Sequence, residues 1–341
     1  MRILIIGGTG LISTPITREF LERGDDVTHY NRGQSTARYG PGDVKHLLGD
    51  RYLHAEFEHQ VQGAGQWDCV IDMIGYKPAD VESDIRAFTG RTKHFIFCST
   101  VDVYTKPGTR LPYREDEPHR GIGGYATNKV KCEAILMQAH RRGDMAVTII
   151  RPAMTYSEAG GFHSSFGGGA VFARLHEGKE IIVHGDGMSL WVTCFADDVG
   201  HAFVTAAGKE RTFGRAYHVT GEEWMTWDQY HQIIAQAIGA PPPRMVHIPS
   251  EVLAKVAPRH AGLLMGNFRF NNIFDNSAAK ADLDFRYRVT WLEGVKRIYA
   301  ADARRGEGTK SDPDPFYERV LEAWKRLAQD MVEELSGQQN A

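Results

Sequence analysis

Tyr125 and Lys129 stand four residues apart in Gly124-Tyr-Ala-Thr-Asn-Lys129. A phenol is a poor base at neutral pH, with an ordinary pKa of about 10. A fixed ammonium within a few ångströms favours the phenolate and lowers that value. On a helix, positions i and i+4 share a face, so the spacing alone holds the two groups together. Tyr-x-x-x-Lys also recurs by chance on solvated helices, so its meaning here depends on what precedes it.

What precedes it is a nucleotide loop. Arg2-Ile-Leu-Ile-Ile6 is a short β-branched run suited to a strand buried on both faces. Gly7-Gly8-Thr9-Gly10 follows, then a helical pattern over 11–23 with Ile12, Ile16, Phe20 and Leu21 on its apolar face. Strand, glycine turn and helix in this order form the first unit of a dinucleotide-binding fold. Gly7 and Gly10 let the backbone approach a pyrophosphate, which the helix N-terminus attracts. The third small position is Ser13, so helix and strand are expected to pack slightly farther apart.

A second strand, 27–30, ends where a carboxylate commonly holds the adenosine ribose. Asn31 and Arg32 stand there instead. A carboxylate would repel a 2′-phosphate; an amide does not, and a guanidinium can pair with it. The chain therefore leans towards NADP, while Asn31 can still bond a ribose hydroxyl, so NAD also fits. After 45–48, Asp50 is placed to meet the adenine amine.

Further strand-like runs at 69–73, 94–98 and 147–150 alternate with helical patterns at 77–88 and 125–142, which implies a doubly wound parallel α/β sheet. From Ser157 the chain turns glycine-rich (Gly160-Gly161, Gly167-Gly168-Gly169), then offers helices at 171–177 and 227–238. We divide it into a dinucleotide-binding domain, 1–156 with 191–218 returning to it, and a smaller substrate lobe, 157–190 with 219–300. An extension, 301–341, breaks at Asp312-Pro-Asp-Pro315 and ends in an amphipathic helix over 316–335, expected to dock on the domain or on a second subunit. His119, Glu158, His163 and His201 are further polar candidates. His163 stands out because its glycine-rich segment should face substrate.

The 341 residues are 42% hydrophobic and 24% charged, enough for a large core. A formal net charge of −3 gives no broad cationic field for nucleic acid or an acidic membrane. Cys69, Cys98, Cys132 and Cys194 lack metal-binding spacing, so buried thiols and no metal are expected. The chain opens directly on a core strand and contains no run of about 20 apolar residues, which reads as a soluble, cytoplasmic protein.

With Ser99-Thr-Val-Asp-Val-Tyr104, Arg151-Pro152, Gly185-Asp-Gly187, Phe195-Ala-Asp-Asp198 and Asp275-Asn-Ser277 in the same order, residues 1–300 resemble the extended short-chain dehydrogenase/reductases, the NAD-dependent epimerase/dehydratase group. The resemblance implies that Tyr125 is the catalytic base, that Lys129 lowers its pKa and binds the nicotinamide ribose, and that Thr100 bonds the substrate oxygen. It extends the cofactor contacts to Thr9, Leu11, Ile12, Arg51, Ile74 and Pro152. Sugar dehydratases of the group carry Asp-Glu after the threonine; here Val101 and Asp102 follow, so Asp102 either shuttles a proton or caps the local turn. Where nucleotide-sugar enzymes hold a diphosphate with asparagine and arginine, this chain has Met154 and Trp191. An indole there suits stacking on a sugar or aglycone, or else simple core packing.

Within the superfamily, Thr28-His-Tyr-Asn-Arg-Gly33, Asp68-Cys-Val-Ile-Asp-Met73 and Phe95-Ile-Phe-Cys-Ser-Thr100 are similar to the branch containing chloroplast stem-loop RNA-binding proteins. The plant RNA-binding members commonly lack the tyrosine–lysine pair that this chain keeps. The implied function is an NAD(P)-dependent oxidoreductase or epimerase acting on a sugar, nucleotide-sugar or glycoside hydroxyl. The alternative is a non-catalytic RNA-binding or NADP-sensing protein. A small-molecule partner is expected, without nucleic acid or membrane. Oligomeric state stays open, although such relatives often form homodimers through the two long helices beside the tyrosine.

Overall fold

The computed structural model describes residues 1–34, 39, 42–161, 163–167, 170–306 and 314–336. Gly168, Gly169, Asp312 and Pro313, singled out above, lie outside them. Two compact units emerge: Met1–Gly161 with Val192–Trp224 and Asn272–Gly294, and Phe162–Trp191 with Met225–Asn271 and Val295–Ala341. The residues around 272–294, assigned above to the substrate lobe, thus lie with the first unit, because Asn276 and Asp282 bond the strand Arg215–Val219 and its exit.

The first unit is built on strands β1 (Arg2–Ile6), β2 (Asp26–Asn31), β3 (Lys45–Leu48), β4 (Trp67–Asp72), β5 (Thr92–Cys98) and β6 (Val147–Pro152). The sheet order is Arg215–Val219, β6, β5, β4, β1, β2, β3, and every neighbouring pair is parallel. This is the doubly wound α/β order, reversing between β1 and β4. Alternation along β1 explains its apolar run. Ile3 and Ile5 pack with Ile16 and Phe20 of α1 (Ser13–Glu22) and with Val199 and Phe203 of the helix Ala196–Ala206. Leu4 and Ile6 face the other side, against α2 (His54–Gly63), α3 (Pro78–Phe88) and α4 (Gly123–Arg142) through Phe57, Val81, Phe88 and Leu136. Each such side chain, fully buried, contributes roughly 1.5–3 kcal/mol.

In the second unit Glu180–His184 pairs in parallel with Arg244–Ile248, and Leu190–Trp191 pairs antiparallel with Met225–Thr226. The helix Trp227–Ile238 has the expected bounds because Thr226 and Gln229 cap its start reciprocally and Gly239 takes a left-handed stop at φ 69°. The last helix, Pro315–Ser336, docks on this same unit: the Ile182 N–H donates to the buried Tyr317 hydroxyl at 2.6 Å, and Glu318 pairs with Arg174. No helix among the described residues is long and apolar enough to cross a membrane.

Five histidines, His29, His94, His184, His218 and His231, are buried. Burial pushes His29, His184 and His231 down to about 4 and His94 and His218 to about 3. In the unfolded chain each takes up a proton near pH 6.5, so the native state is favoured above that value and loses stability as pH falls towards 4. Each can withdraw roughly 1.4 kcal/mol per pH unit in this window. The urea midpoint should therefore fall steeply from pH 7 to pH 5, and His94→Gln should flatten the fall. A midpoint unchanged over that range would contradict this account.

Candidate active site

Two adjoining cavities of about 300 Å³ each open at the carboxyl ends of the first unit's strands. One has Gly7, Gly10, Leu11 and Ile12 at one end and Thr100, Tyr125 and Lys129 at the other, with Ile74 and Pro152 as walls. The second is lined by Thr9, Asn31, Arg32, Asp50 and Arg51. Gly7, Gly10, Ile74 and Tyr76 border both. The expected cofactor residues are thus brought together where the strand order reverses, the usual ligand position in such sheets.

The loop geometry requires its glycines. Gly7 has φ +84°, and a Cβ on it would lie 2.7 Å from Ile74; one on Gly8 would lie 2.3 Å from the His29 ring. Ser13, at the third small position, is buried and donates its hydroxyl to the Gly7 carbonyl at 2.6 Å, tying the helix start to the loop. No side chain caps α1, so its N-terminal dipole faces the loop, a fit for a phosphate group, while Thr14 already donates its amide to the Gly10 carbonyl at 3.1 Å and Pro15 has none to offer. Asn31 Oδ1 accepts from the Gly33 N–H at 3.0 Å, which turns Nδ2 away; that buried amide nitrogen finds no acceptor among the described residues. Arg51 corrects an expectation. Its guanidinium is 1% exposed and bonds Asp72 (3.3 Å), Asp84 (2.8 Å) and the Asp80 carbonyl (3.0 Å), so its charge is spent in the interior.

At the other end Lys129 is 1% exposed and donates from Nζ to the Cys98 carbonyl at 2.6 Å. The nitrogen lies 4.4 Å from the Phe97 ring centroid, 5.0 Å from Tyr76 and 6.0 Å from Tyr125. Tyr125 is 48% exposed, and its hydroxyl meets that of Thr100. Here too the structure departs from expectation. Desolvation of the phenol group, with Cys98, Asp102 and Tyr76 adding to it, holds Tyr125 well above its ordinary range, and the Thr100 bond offsets only part. Lys129 is not among the main influences on it, its ammonium being turned to the strand-end carbonyl. Thr100, not Asp102, caps the turn Val101–Val103, accepting the Asp102 N–H at 3.2 Å. The Asp102 carboxylate pairs with buried Lys106 at 3.0 Å.

Tyr76 was not anticipated. It follows β4 at the reversal point, borders both cavities and is 39% exposed; an aromatic side chain just past that strand's carboxyl end was the available clue. Behind the site runs a buried network that also went unread. Ser99 donates to Glu133 Oε1 at 2.5 Å, and Arg151 binds Glu133 at 2.9 and 2.7 Å. Arg151 also donates to the Tyr104 hydroxyl at 2.6 Å, which bonds His218 Nε2 at 2.5 Å. The network ties α4, which carries Tyr125 and Lys129, to the ends of β5 and β6.

Other candidates fare differently. Met154 is half-buried between Ala153 and Thr155, which line the first cavity. His163 is exposed in the second unit, its carbonyl accepting from the Tyr230 hydroxyl at 2.8 Å. Trp191 is 3% exposed and packed on Trp227 and Phe268, centroids 5.0 Å away in each case. The stacking role proposed for it fails, since its faces are covered by core aromatics. Glu158 is half-buried, while His119 and His201 face Glu133 and Glu19 at 3.9 and 2.9 Å. Among the described residues no cluster of His, Cys, Asp or Glu could hold a metal ion, and all four cysteines are buried and free.

The sequence profile of the NAD dependent epimerase/dehydratase family matches residues 3–219. The chain is 28% identical over 328 residues to the chloroplast stem-loop binding protein of 41 kDa b from Arabidopsis thaliana, covering 89% of this chain and 80% of that protein. It is 25% identical to the UDP-N-acetyl-alpha-D-glucosaminuronate decarboxylase of Bacillus cytotoxicus, covering 86% and 95% respectively. A UDP-glucose 4-epimerase from Bifidobacterium longum, solved with NAD+ and UDP, shares the fold with a TM-score of 0.71 at 19% identity, covering 90% of this chain and all of that one.

Removing Arg151 would leave Glu133 charged and uncompensated in the interior. Arg151→Met should cost about 3–5 kcal/mol of stability, read as a lowered urea midpoint. A cost under about 1 kcal/mol would mean that the network holds nothing in place.

Proposed function

Because the chain belongs to the NAD dependent epimerase/dehydratase family, we propose that it interconverts a carbinol and a carbonyl on a sugar, nucleotide sugar or glycoside, with Tyr125 as the proton-transfer group. The observation that carries this reading is the meeting of Thr100, Tyr125 and Lys129 in one cavity with the glycine loop. The bound dinucleotide supplies the hydride chemistry; the residues of this chain bind, orient and move protons.

Gly7, Gly10 and the uncapped α1 terminus would hold the pyrophosphate, and Asp50 the adenine amine. Asn31 offers a donor and no free carboxylate, with Arg32 beside it, which favours the 2′-phosphate of NADP. The Thr100 hydroxyl, bonded to that of Tyr125, orients the substrate oxygen between them. A phenol held above its ordinary range is protonated at neutral pH, ready to donate to a carbonyl oxygen as it is reduced. In the oxidising direction Tyr125 must first lose its proton, so that rate rises with pH. Asp102 is committed to Lys106 and Val101 replaces the first acid of the dehydratase pair, which favours oxidoreduction or epimerisation over loss of water. The partner is then a small molecule, in keeping with a net charge of −3.

Tyr125→Phe should lower NADP-dependent turnover on a panel of sugars and nucleotide sugars by about 10²–10⁴-fold while leaving the dinucleotide Kd nearly unchanged. Retained turnover would remove Tyr125 from the chemistry. Asn31→Asp should weaken NADPH binding about tenfold and spare NADH, measured by titrating nicotinamide fluorescence. Equal weakening of both would reject the discriminating role of the amide.

A further inference from the structure

Lys129 poses an electrostatic problem. The end of β5 neighbours it, and among the described residues the only hydrogen bond from its ammonium goes to the neutral Cys98 carbonyl at 2.6 Å. Among the described residues no carboxylate is in ion-pair contact with it. The acids that act on it at a distance are Asp72 and Glu133, and these are held by Arg51 and Arg151. The adjacent thiols, Cys98 and Cys132, are pushed up by burial and stay neutral. A buried charge without a counter-ion loses its proton unless something else favours the cation. Three aromatic rings surround it instead.

We propose that Tyr76 is a positioning residue for the Tyr125–Lys129 pair, its ring completing an aromatic cage that holds the Lys129 side chain in place as a cation. Phe97 belongs to the sheet core and Tyr125 to the chemistry, so Tyr76 is the member of the cage that is neither. Its ring faces Lys129 Nζ at 5.0 Å and Tyr125 at 6.2 Å. Its backbone is fixed: Asp72 accepts the Ile74 N–H at 2.8 Å, and Asp80 accepts those of Tyr76 and Lys77 at 3.0 and 2.9 Å. Desolvated cation–π contacts reach about 2 kcal/mol, enough to oppose the burial that pulls Lys129 below its ordinary range. A charged Lys129 in turn favours ionisation of Tyr125 whenever that proton must leave. The inference deepens the proposed function and rests on the proton-transfer role of Tyr125.

Its test needs no substrate. In protein labelled with 13Cε-lysine, the Lys129 resonance is identified by its loss in Lys129→Met, and its titration is followed in the full chain. Tyr76→Leu should lower the Lys129 midpoint by about one pH unit, and Tyr76→Phe, which keeps the ring, should restore it. Tyr76→Ile serves in the same way if the leucine variant fails to fold. A midpoint that stays put in the leucine or isoleucine variant, or rises because water replaces the ring, overturns the cage. A phenylalanine variant that titrates like leucine does so too. Since turnover is not read, a failure here leaves the function itself to be judged by Tyr125→Phe.

Discussion

An ammonium buried at the carboxyl end of a parallel sheet, bonded to one backbone carbonyl, is the constraint that organises this molecule. The surroundings of Lys129 offset part of the burial that disfavours its charge. β5 ends with its Cys98 carbonyl in reach and brings the Phe97 ring beneath; the loop after β4 brings Tyr76; and α4 is clamped to β6 through Glu133 and Arg151. The acids nearby are matched by cations of their own, Asp72 by Arg51, Glu133 by Arg151 and Asp102 by Lys106. Lys129 is therefore left facing π-electrons and a cavity in place of a carboxylate, which is where a charge can act on a ligand.

Much of the fold was legible because its determinants are local. The β1 run, the glycine turn and the α1 stripe each have a period and a stop that neighbouring residues set. The bounds of β3 and of the helix Trp227–Ile238 follow likewise from apolar pattern and capping. The residues lining the cavities were legible for a different reason. A doubly wound sheet delivers the ends of its strands to one edge, so position along each strand locates them.

What was not legible depended on partners remote in the chain. Arg51 looks like a cofactor contact until Asp72 and Asp84, more than 20 residues away, enclose its guanidinium. Trp191 looks like a platform until Trp227 and Phe268 cover it. The i, i+4 spacing brought Lys129 near Tyr125, yet spacing does not say which acceptor an ammonium chooses. The strand-end carbonyl won, and the phenol was left above its ordinary range. The segment around 272–294 was assigned to the wrong unit because no compositional change marks its return to the sheet.

The walls of the cavity are already fastened before any ligand arrives. Ser13 holds the Gly7 carbonyl, Tyr30 the Gly7 amide, and Asp72 and Asp80 the amides of the segment that follows β4. Little chain ordering is then left to accompany association, so the encounter rate should be set by diffusion and access, with discrimination among dinucleotides appearing in how long each one stays.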